Sequence, residues 1–192
     1  MRQKTVGVTE NLLKSATEEF LEKGFMKASL RNISAKSGVS TNSIYTRFKD
    51  KEGLFSAIVK DTVDGLMAIY LDSTQKATYS PNPSQADQEG EEGMDLVLDY
   101  IYQHFIEFKL IFCCSTGSQY EHFLDELGKI EESYYQEFVE KYSKEGFIVD
   151  SFFIHVYCRV GWQMVYELVA HDCSYKEAQS LMNSTKLFNV AG

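Results

Sequence analysis

Apolar residues recur at spacings of three and four along most of the chain, a period typical of amphipathic α-helices. We therefore predict an all-α fold. Two short helices are expected near the N-terminus, one after a capping Ser29 and one after a capping Ser40. Gly38 lies between them, where a glycine can adopt the positive φ that a sharp turn requires. Two short helices joined by such a turn indicate a helix-turn-helix.

The rest of the apolar pattern predicts one helix before this pair and five after it. The first is expected from Thr9 to Gly24, with residues 2–8 as a frayed terminus or, alternatively, a basic arm that touches DNA. Residues 73–93 hold both prolines and lack an apolar period, so we expect a loop there. Gly146 is expected to cap the helix that precedes it. The later helices are predicted to start near Lys51 and to cover residues 94–112, 119–144, 150–171 and 174–188.

The second helix of the predicted pair turns Ile44 and Phe48 inward and leaves small polar side chains outside. In a helix-turn-helix the start of this helix enters the major groove, where hydroxyl and amide groups pair with base edges. Flanking basic and hydroxyl groups contact phosphates and set the register. For any one residue taken alone, a solvated polar face is the alternative. The predicted base-reading residues are Arg31, Thr41, Asn42 and Ser43, and the predicted phosphate-binding residues are Ser29, Tyr45, Lys49 and Lys51.

Residues 11–55 resemble the DNA-binding domain of the tetracycline-repressor (TetR) family of bacterial transcriptional regulators. The sequence departs from that family at Asn42, where glycine is common, and at Thr46, where histidine is common. An asparagine at this position adds an amide that can read adenine, which leaves the operator sequence open. The matching residues are Leu12, Leu13, Ala16, Phe20, Gly24, Phe25, Ser29, Ile33, Gly38, Val39, Ser40, Ile44, Tyr45, Phe48 and the run from Lys51 to Phe55.

This resemblance implies a DNA-binding domain over residues 1–50 and a helical domain for effector binding and dimerisation over residues 51–192. It further implies a homodimer that binds a palindromic operator in double-stranded DNA, represses transcription and is released by a small-molecule effector. Because no linker separates the two domains, we expect the helix that starts near Lys51 to carry movement from one to the other.

Charge is unevenly divided along the 192 residues, whose net charge is −9. Residues 1–60 carry 11 Lys and Arg against 6 Asp and Glu, a net +5, so the remainder carries −14. A basic N-terminal part attached to an acidic body supports a nucleic-acid partner. The chain lacks an apolar run of the ~20 residues that a membrane span needs, and residues 1–10 lack the layout of a secretory signal. We therefore expect a cytoplasmic protein of a bacterium with no membrane partner.

The second domain is rich in aromatic residues, which predicts an apolar pocket with a few polar tips. For each residue taken singly, core packing is the alternative. The candidates for an effector pocket are Tyr100, His104, Cys113, Tyr120, Tyr134, Phe138, Trp162 and Tyr166. The last two predicted helices are suited to a four-helix dimer interface, with an intramolecular core as the alternative. The candidates for that interface are Phe153, Tyr157, Val160, Gly161, Met164, Leu168, Leu181, Met182 and Thr185.

Other functions find weaker support in the sequence. The vicinal Cys113 and Cys114 leave a thiol-based redox sensor as an alternative, and His155 with Cys158 lacks further metal ligands at a recognisable spacing. We find no phosphate-binding glycine loop and no hydrolase or metalloprotease motif, so we predict no catalytic residue, no cofactor and no metal. The remaining alternatives are an activating or architectural DNA-binding protein without an effector and an enzyme that carries a helical DNA-binding unit.

Overall fold

The computed structural model describes residues 2–143 and 148–191, so the predicted cap at Gly146 lies outside the described residues. Within the described ranges the chain forms nine α-helices and no strand, which confirms the predicted all-α class. None of these helices is long and apolar enough to cross a lipid bilayer. The helices are α1 Arg2–Lys27, α2 Leu30–Ser37, α3 Thr41–Phe48, α4 Lys51–Tyr79, α5 Pro83–Gln103, α6 Phe105–Cys113, α7 Phe123–Tyr142, α8 Ser151–Ala170 and α9 Tyr175–Ala191.

The first three helices pack into a small unit around the start of α4. Its centre consists of Phe20, Ile33, Ile44 and Phe55, all fully buried. Helix α1 starts at Arg2, so the expected frayed terminus before Thr9 is wrong for the backbone. The apolar period marks only the packed part of a helix, and backbone hydrogen bonds can extend a helix into polar residues at little cost. Near its other end α1 kinks at Gly24, where the chain leaves helical geometry as expected.

Helix α4 connects the N-terminal unit to the rest of the protein without a break. It contains 29 residues and therefore spans about 43 Å at 1.5 Å per residue. Asp50 caps its start by accepting a hydrogen bond from the Gly53 N–H at 2.7 Å. Its buried positions run from Leu54 in the N-terminal unit to Ala77 at the far end. The helix is therefore one continuous element that packs in both parts of the molecule.

The loop predicted over residues 73–93 is wrong, because α4 continues to Tyr79 and α5 begins at Pro83. Pro83 stands in the first turn of α5, where its missing N–H costs nothing, and Asn82 caps that turn. Small residues on the facing sides of the two helices, including Ser73 and Gly93, are buried against each other. A contact face of serine, alanine and glycine carries no apolar period, and this is why the pattern misled the prediction.

The helix predicted over residues 94–112 is divided into α5 and α6 at His104, whose φ of −121° and ψ of 38° leave the helical range. The segment 114–122 that follows α6 is longer than expected, and α7 starts at Phe123 instead of Gln119. Helix α8 begins directly after Asp150, which caps it by accepting hydrogen bonds from Phe152 N and Phe153 N. Together α4 to α9 form the C-terminal bundle.

The segment 114–122 also joins the C-terminal bundle to the N-terminal unit. The Phe25 N–H at the α1 kink donates to the Cys114 carbonyl oxygen at 2.7 Å. The Gln119 side-chain amide donates to Ser56 Oγ at 2.8 Å, near the start of α4. Apolar side chains from both parts belong to one continuous core. The end of α6 is therefore fixed to the two helices that support α2 and α3.

Candidate nucleic-acid interface

The turn between α2 and α3 has the geometry that the sequence predicts. Gly38 ends α2 with φ 70° and ψ 9°, a left-handed conformation that favours glycine. The next residue, Val39, returns to the core. Ser40 caps α3 by accepting a hydrogen bond from Ser43 N at 3.2 Å. Ser29 occupies the position before α2 with extended backbone, but its hydroxyl makes no capping hydrogen bond.

A buried carboxylate on α1 holds α2 in place. Glu19 is 1% exposed and accepts hydrogen bonds from Ser29 N at 3.3 Å, Asn32 Nδ2 at 3.0 Å and Lys36 Nζ at 3.2 Å. Burial alone raises its pKa, but the donors Asn32, Lys36 and Ser29 together lower it below its ordinary value. This role of Glu19 is not predictable from the sequence, because a glutamate beside Glu18 in an amphipathic helix is typical of a solvated face.

The predicted base-reading residues lie on α2 and at the start of α3. Arg31 and Asn42 are exposed, while Thr41 and Ser43 are half-buried. The Ser43 Oγ accepts a hydrogen bond from the Ser40 hydroxyl at 3.0 Å, which commits part of its hydrogen-bonding capacity. Among the described residues, no hydrogen bond partner is found for the Arg31, Thr41 or Asn42 side chains. These three groups are available to a nucleic acid without the loss of an existing contact.

The predicted phosphate-binding residues differ in exposure and in the contacts that they already make. Tyr45 is half-exposed on α3, and Lys49 is exposed with a positive φ of 71° at the end of that helix. Lys51 is already engaged: its ammonium donates to the Met26 carbonyl at 3.0 Å and lies 4.7 Å from the centre of the Phe25 ring. A lysine ammonium group has three N–H donors, so Lys51 can still donate a hydrogen bond to a phosphate.

Arg47 adds a basic group that sequence reasoning left unassigned. Its Nη1 donates to Thr9 Oγ1 at 2.9 Å, which ties α3 to α1 across the outer surface. Thr46, which replaces the common histidine of the resembled family, donates its hydroxyl to the Asn42 carbonyl at 2.8 Å. Arg47 therefore helps to position α3 against α1, whereas the Thr46 bond lies within α3.

The sequence model described as "Bacterial regulatory proteins, tetR family" matches residues 12–58, which cover α2, the turn, α3 and most of α1. The N-terminal unit is therefore a DNA-binding helix-turn-helix domain of the TetR family of transcriptional regulators.

Relatives and solved structures agree with this match. The chain is 26% identical over 136 residues to the uncharacterised helix-turn-helix regulator YvdT of Bacillus subtilis, a match that spans 70% of this chain and 65% of YvdT. It is 36% identical over 61 residues to the regulator YdgC of the same organism, spanning 32% of this chain and 31% of YdgC. The matches thus span less than two thirds of either relative.

Two solved structures show the same fold. A TetR-family protein from Syntrophomonas wolfei aligns over 98% of this chain and 97% of its own, with a TM-score of 0.62 and 18% identity. The TetR-family regulator PfmR of Thermus thermophilus aligns over 83% of this chain and 84% of its own, with a TM-score of 0.54 and 20% identity. At these identities the likeness is one of architecture.

The eight candidates for an effector pocket are distributed over separate parts of the C-terminal bundle. Tyr120 borders a groove of about 300 Å³ beside Lys60, and Tyr134 borders another of about 360 Å³ between α4 and α7. Trp162 is buried, with its ring 5.3 Å from that of Tyr70. Tyr100 and His104 form a ring pair at the end of α5, and Phe138 lies next to Tyr134 on α7. Cys113 on α6 is exposed, and Tyr166 on α8 is half-buried. Each groove is lined by only one of the eight candidates, so the described structure does not bring them together in one pocket.

The candidates for a dimer interface divide into two groups. Phe153, Tyr157, Val160 and Leu181 are exposed on α8 and α9, and Gly161, Met164 and Thr185 are half-buried beside them. Leu168 and Met182, in contrast, are buried in the core of their own chain. Both lie on the inward sides of α8 and α9, so they support the outer surface without forming it.

The four cysteines are free thiols in this structure. Cys113 is exposed at the end of α6, and Cys114 is half-buried with its thiol 3.9 Å from the Leu21 carbonyl oxygen. Burial raises the pKa of the Cys114 thiol, which favours the unreactive protonated form. Within the described residues no group of three or more His, Cys, Asp or Glu could hold a metal ion.

Proposed function

We propose that the protein is a dimeric transcriptional repressor that binds a palindromic operator and is released when a small molecule binds its C-terminal bundle. The observation that carries the proposal is the exposed polar start of α3 on a helix-turn-helix that is joined to the bundle by one unbroken helix. Because α4 connects the C-terminal bundle rigidly to the helix-turn-helix, a ligand that binds in the bundle can displace α3. Such a connection suits a ligand-controlled switch.

For operator recognition, we propose that Arg31, Thr41 and Asn42 contact bases and that Ser43 contributes through its remaining capacity. Ser29, Tyr45, Lys49 and Lys51 would contact phosphates around them. The support is the exposure of Arg31 and Asn42 and the absence of a described partner for their side chains. Asparagine pairs in a bidentate manner with adenine, and arginine does so with guanine. Operator half-sites with these bases at the positions facing α2 and α3 are therefore expected.

For dimerisation, we propose that the outer faces of α8 and α9 pair with those of a second copy. Phe153 and Val160 on α8 are 61% and 53% exposed, and Leu181 on α9 is 37% exposed. Monomeric soluble proteins seldom present a contiguous apolar patch of this kind on two adjacent helices. A two-fold dimer would place two α3 helices for half-sites about 34–36 Å apart.

For release, we propose that an effector shifts the far half of α4 and the end of α6 together. The support is the contact network of segment 114–122, which bonds to Phe25 on α1 and to Ser56 on α4. If α1 and α4 move, α3 moves with them, since α3 packs against α4 and Arg47 bonds it to Thr9 on α1. An effector that prefers the displaced state lowers operator affinity by the ratio of its affinities for the two states.

The test is a mobility-shift assay of the purified protein on the intergenic DNA upstream of its own gene, at two salt concentrations and with random duplex as competitor. A complex of dimer stoichiometry that survives the competitor is expected. Weak binding that is equal on any duplex and lost at the higher salt concentration would contradict sequence-specific regulation. A specific complex on a monomer would contradict the dimer.

A further inference from the structure

We propose that Glu19 on α1 is a positioning residue for DNA binding: it holds the start of α2 and thereby leaves the Ser29 hydroxyl free to donate a hydrogen bond to a DNA phosphate. The inference rests on the proposed function at one point, the contact between Ser29 and a phosphate. It arises from a difference between α2 and the other helices of the protein that begin after a capping residue.

Helix α2 does not use the side-chain cap that its sequence supplies. Ser29 precedes α2 with extended backbone, at φ −116° and ψ 118°, and serine is a favoured residue at this position. Its hydroxyl nevertheless accepts no hydrogen bond from the first turn of α2, and no other hydrogen bond of this hydroxyl is found within residues 2–143 and 148–191. Four other helices do have a side chain before them that accepts from their first turn: Ser40 for α3, Asp50 for α4, Asn82 for α5 and Asp150 for α8.

Helix α9 shows a complete cap that begins with the same residue type. Glu177 lies three residues after Ser174, and its carboxylate accepts a hydrogen bond from Ser174 N at 2.7 Å. In return, Glu177 N donates to the Ser174 hydroxyl at 3.4 Å. This is a capping box, in which a serine and a glutamate each satisfy a backbone N–H of the other. The corresponding position after Ser29 is Asn32, which supplies no carboxylate.

Glu19 supplies the missing carboxylate from a different helix. Its Oε1 accepts from Ser29 N at 3.3 Å and from Asn32 Nδ2 at 3.0 Å, so it bonds both residues of the incomplete capping box. Lys36 Nζ, 3.2 Å from Oε2, balances the charge of this buried group. Negative charge near a helix N-terminus is favourable. The carboxylate therefore stabilises the start of α2 without the use of the Ser29 hydroxyl.

The consequence for DNA binding concerns that hydroxyl. A capping hydroxyl has its oxygen fixed over the first turn of its helix, whereas the Ser29 hydroxyl can turn outward to a phosphate oxygen. Such a bond is charge-assisted, and contacts of this kind fix the position of a protein on the duplex. Glu19 is 1% exposed and paired with Lys36, so it adds little repulsion of DNA. Glu19 thus acts on DNA binding through Ser29.

The first test compares Glu19→Gln with Glu18→Gln, which makes the same change of charge one residue earlier. Glu18 is exposed, and its side chain has no hydrogen bond or ion pair among the described residues. Loss of a negative charge ordinarily strengthens DNA binding or, at an exposed and screened site, leaves it unchanged. Glu19→Gln is instead expected to weaken DNA binding by about tenfold, because either orientation of the new amide places its NH₂ group against a donor of α2.

The second test removes the Ser29 hydroxyl from a protein that keeps Glu19. Ser29→Ala is expected to leave Tm unchanged, whereas Ser40→Ala removes the cap of α3 and is expected to lower Tm by about 2–4 °C. On DNA, Ser29→Ala is expected to weaken binding by about tenfold through the loss of a phosphate contact. In the Glu19→Gln protein the same substitution is expected to have a smaller effect, because the start of α2 is no longer held in place.

Affinities are measured by fluorescence anisotropy on the full-length proteins, at a temperature at which circular dichroism shows each variant to be folded. Affinity of Glu19→Gln equal to that of Glu18→Gln would overturn the inference, and so would additive losses in the double variant. A fall of Tm in Ser29→Ala equal to that in Ser40→Ala would also overturn it, and this comparison does not depend on the folding of any Glu19 variant.

Phosphate contacts act on any duplex, so each affinity is measured both on the intergenic DNA upstream of the gene and on a random duplex. A specific complex that Ser29→Ala leaves unchanged would reject the inference and leave the repressor proposal in place. Equal binding of the wild type to both duplexes, together with the expected losses in Ser29→Ala and Glu19→Gln, would reject the repressor proposal alone.

Discussion

At the scale of single residues, two glutamates with buried carboxyl oxygens have opposite environments in this protein. Glu19 receives three hydrogen bonds from α2 and the residue before it, and these hold its pKa below the ordinary value even though burial acts in the other direction. Glu131 has no comparable donors, and burial raises its pKa to about 7. The ionised form stabilises the fold at Glu19 and destabilises it at Glu131. The two residues therefore respond in opposite directions to pH.

Replacing Glu131 by Gln is expected to change how stability depends on pH. Well below pH 4.5, Glu131 is protonated in both the folded and the unfolded chain, so it does not make stability depend on pH. Between pH 4.5 and about 7 the folded chain keeps a proton that the unfolded chain releases, so the free energy of unfolding falls as pH rises. Glu131→Gln removes this fall and is expected to be more stable at pH 8 by roughly 2–3 kcal/mol.

Urea unfolding of both proteins between pH 4.5 and pH 8 measures this effect. Glu137→Gln is the control, because its carboxylate is exposed and should leave the pH profile unchanged. Parallel profiles for the wild type and Glu131→Gln would contradict the prediction. The other groups near Glu131 do not titrate between pH 4.5 and pH 8. Burial raises the pKa of the three tyrosines and of the thiol among them. The nearby groups are Tyr70 on α4, Tyr135 on α7, and Tyr157, Cys158 and Arg159 on α8.

Base-reading and phosphate-binding residues are expected to differ in their effect on DNA binding. Asn42→Ala should weaken binding to the operator by about 1–3 kcal/mol and relax the preference at one base pair. Tyr45→Phe removes only a hydroxyl. It should weaken binding to every duplex by about the same factor, whatever the base sequence. Lys51→Ala is a less informative variant, since it also removes the contacts to Met26 and Phe25. Fluorescence anisotropy on operators with single base changes distinguishes these outcomes, and uniform losses from both variants would contradict the assignment.

At the scale of elements, the sequence was informative where packing is apolar and local. The turn at Gly38, the cap at Ser40 and the buried Ile44 were all predictable, because each follows from a local rule of backbone geometry or helical period. The close contact of α4 with α5 was not predictable, because serine, alanine and glycine form it. The break at His104 likewise has no proline or glycine to mark it.

The close contact between α4 and α5 is expected to be sensitive to one methyl group. A Cβ added at Gly93 would lie 2.6 Å from Ser73 Cβ, whereas one added at Gly90 would meet only Tyr134 Oη at 3.9 Å. Gly93→Ala is therefore expected to destabilise the protein by about 1–3 kcal/mol through overpacking. Gly90→Ala, on the same helix, should be neutral or stabilising by up to about 1 kcal/mol, since alanine favours helix.

Thermal unfolding of the two alanine variants measures this difference directly. Both substitutions remove the same backbone freedom from the unfolded chain, so their comparison isolates the effect of the contact. Equal stability of the two variants would show that α4 and α5 can separate without cost.

At the scale of the whole molecule, the sequence predicted which two helices present an outer apolar surface. It did not separate surface from core within them, because Leu168 and Met182 fit the same helical period as Phe153 and Val160. The buried carboxyl oxygen of Glu131 was not predictable either, since Glu131 and Glu132 read as a solvated pair. Both distinctions depend on which side of each helix meets a neighbour, and that is decided by contacts between distant parts of the chain.

The proposed dimer surface can be tested with two substitutions at equally exposed sites. Val160 on α8 is 53% exposed and Leu96 on α5 is 54% exposed, but only Val160 lies on the proposed interface. Val160→Asp places a charge in an apolar contact and is expected to shift the protein from dimer to monomer. Leu96→Asp should leave the dimer intact.

Sedimentation equilibrium of the wild type and both variants measures the mass of each species. The operator affinity of Val160→Asp is expected to fall as well, because a monomer contacts one half-site. A dimer that survives Val160→Asp but not Leu96→Asp would place the interface on another face.

The hydrogen bond from Phe25 to Cys114 gives one backbone amide an unusual position. Its acceptor belongs to a segment almost 90 residues away, and the Phe25 side chain is buried. While the end of α6 stays docked on the α1 kink, this amide proton is protected from solvent; when the two part, it becomes free to exchange with deuterium. The exchange rate at Phe25 thus measures how often the DNA-binding domain and the C-terminal bundle separate.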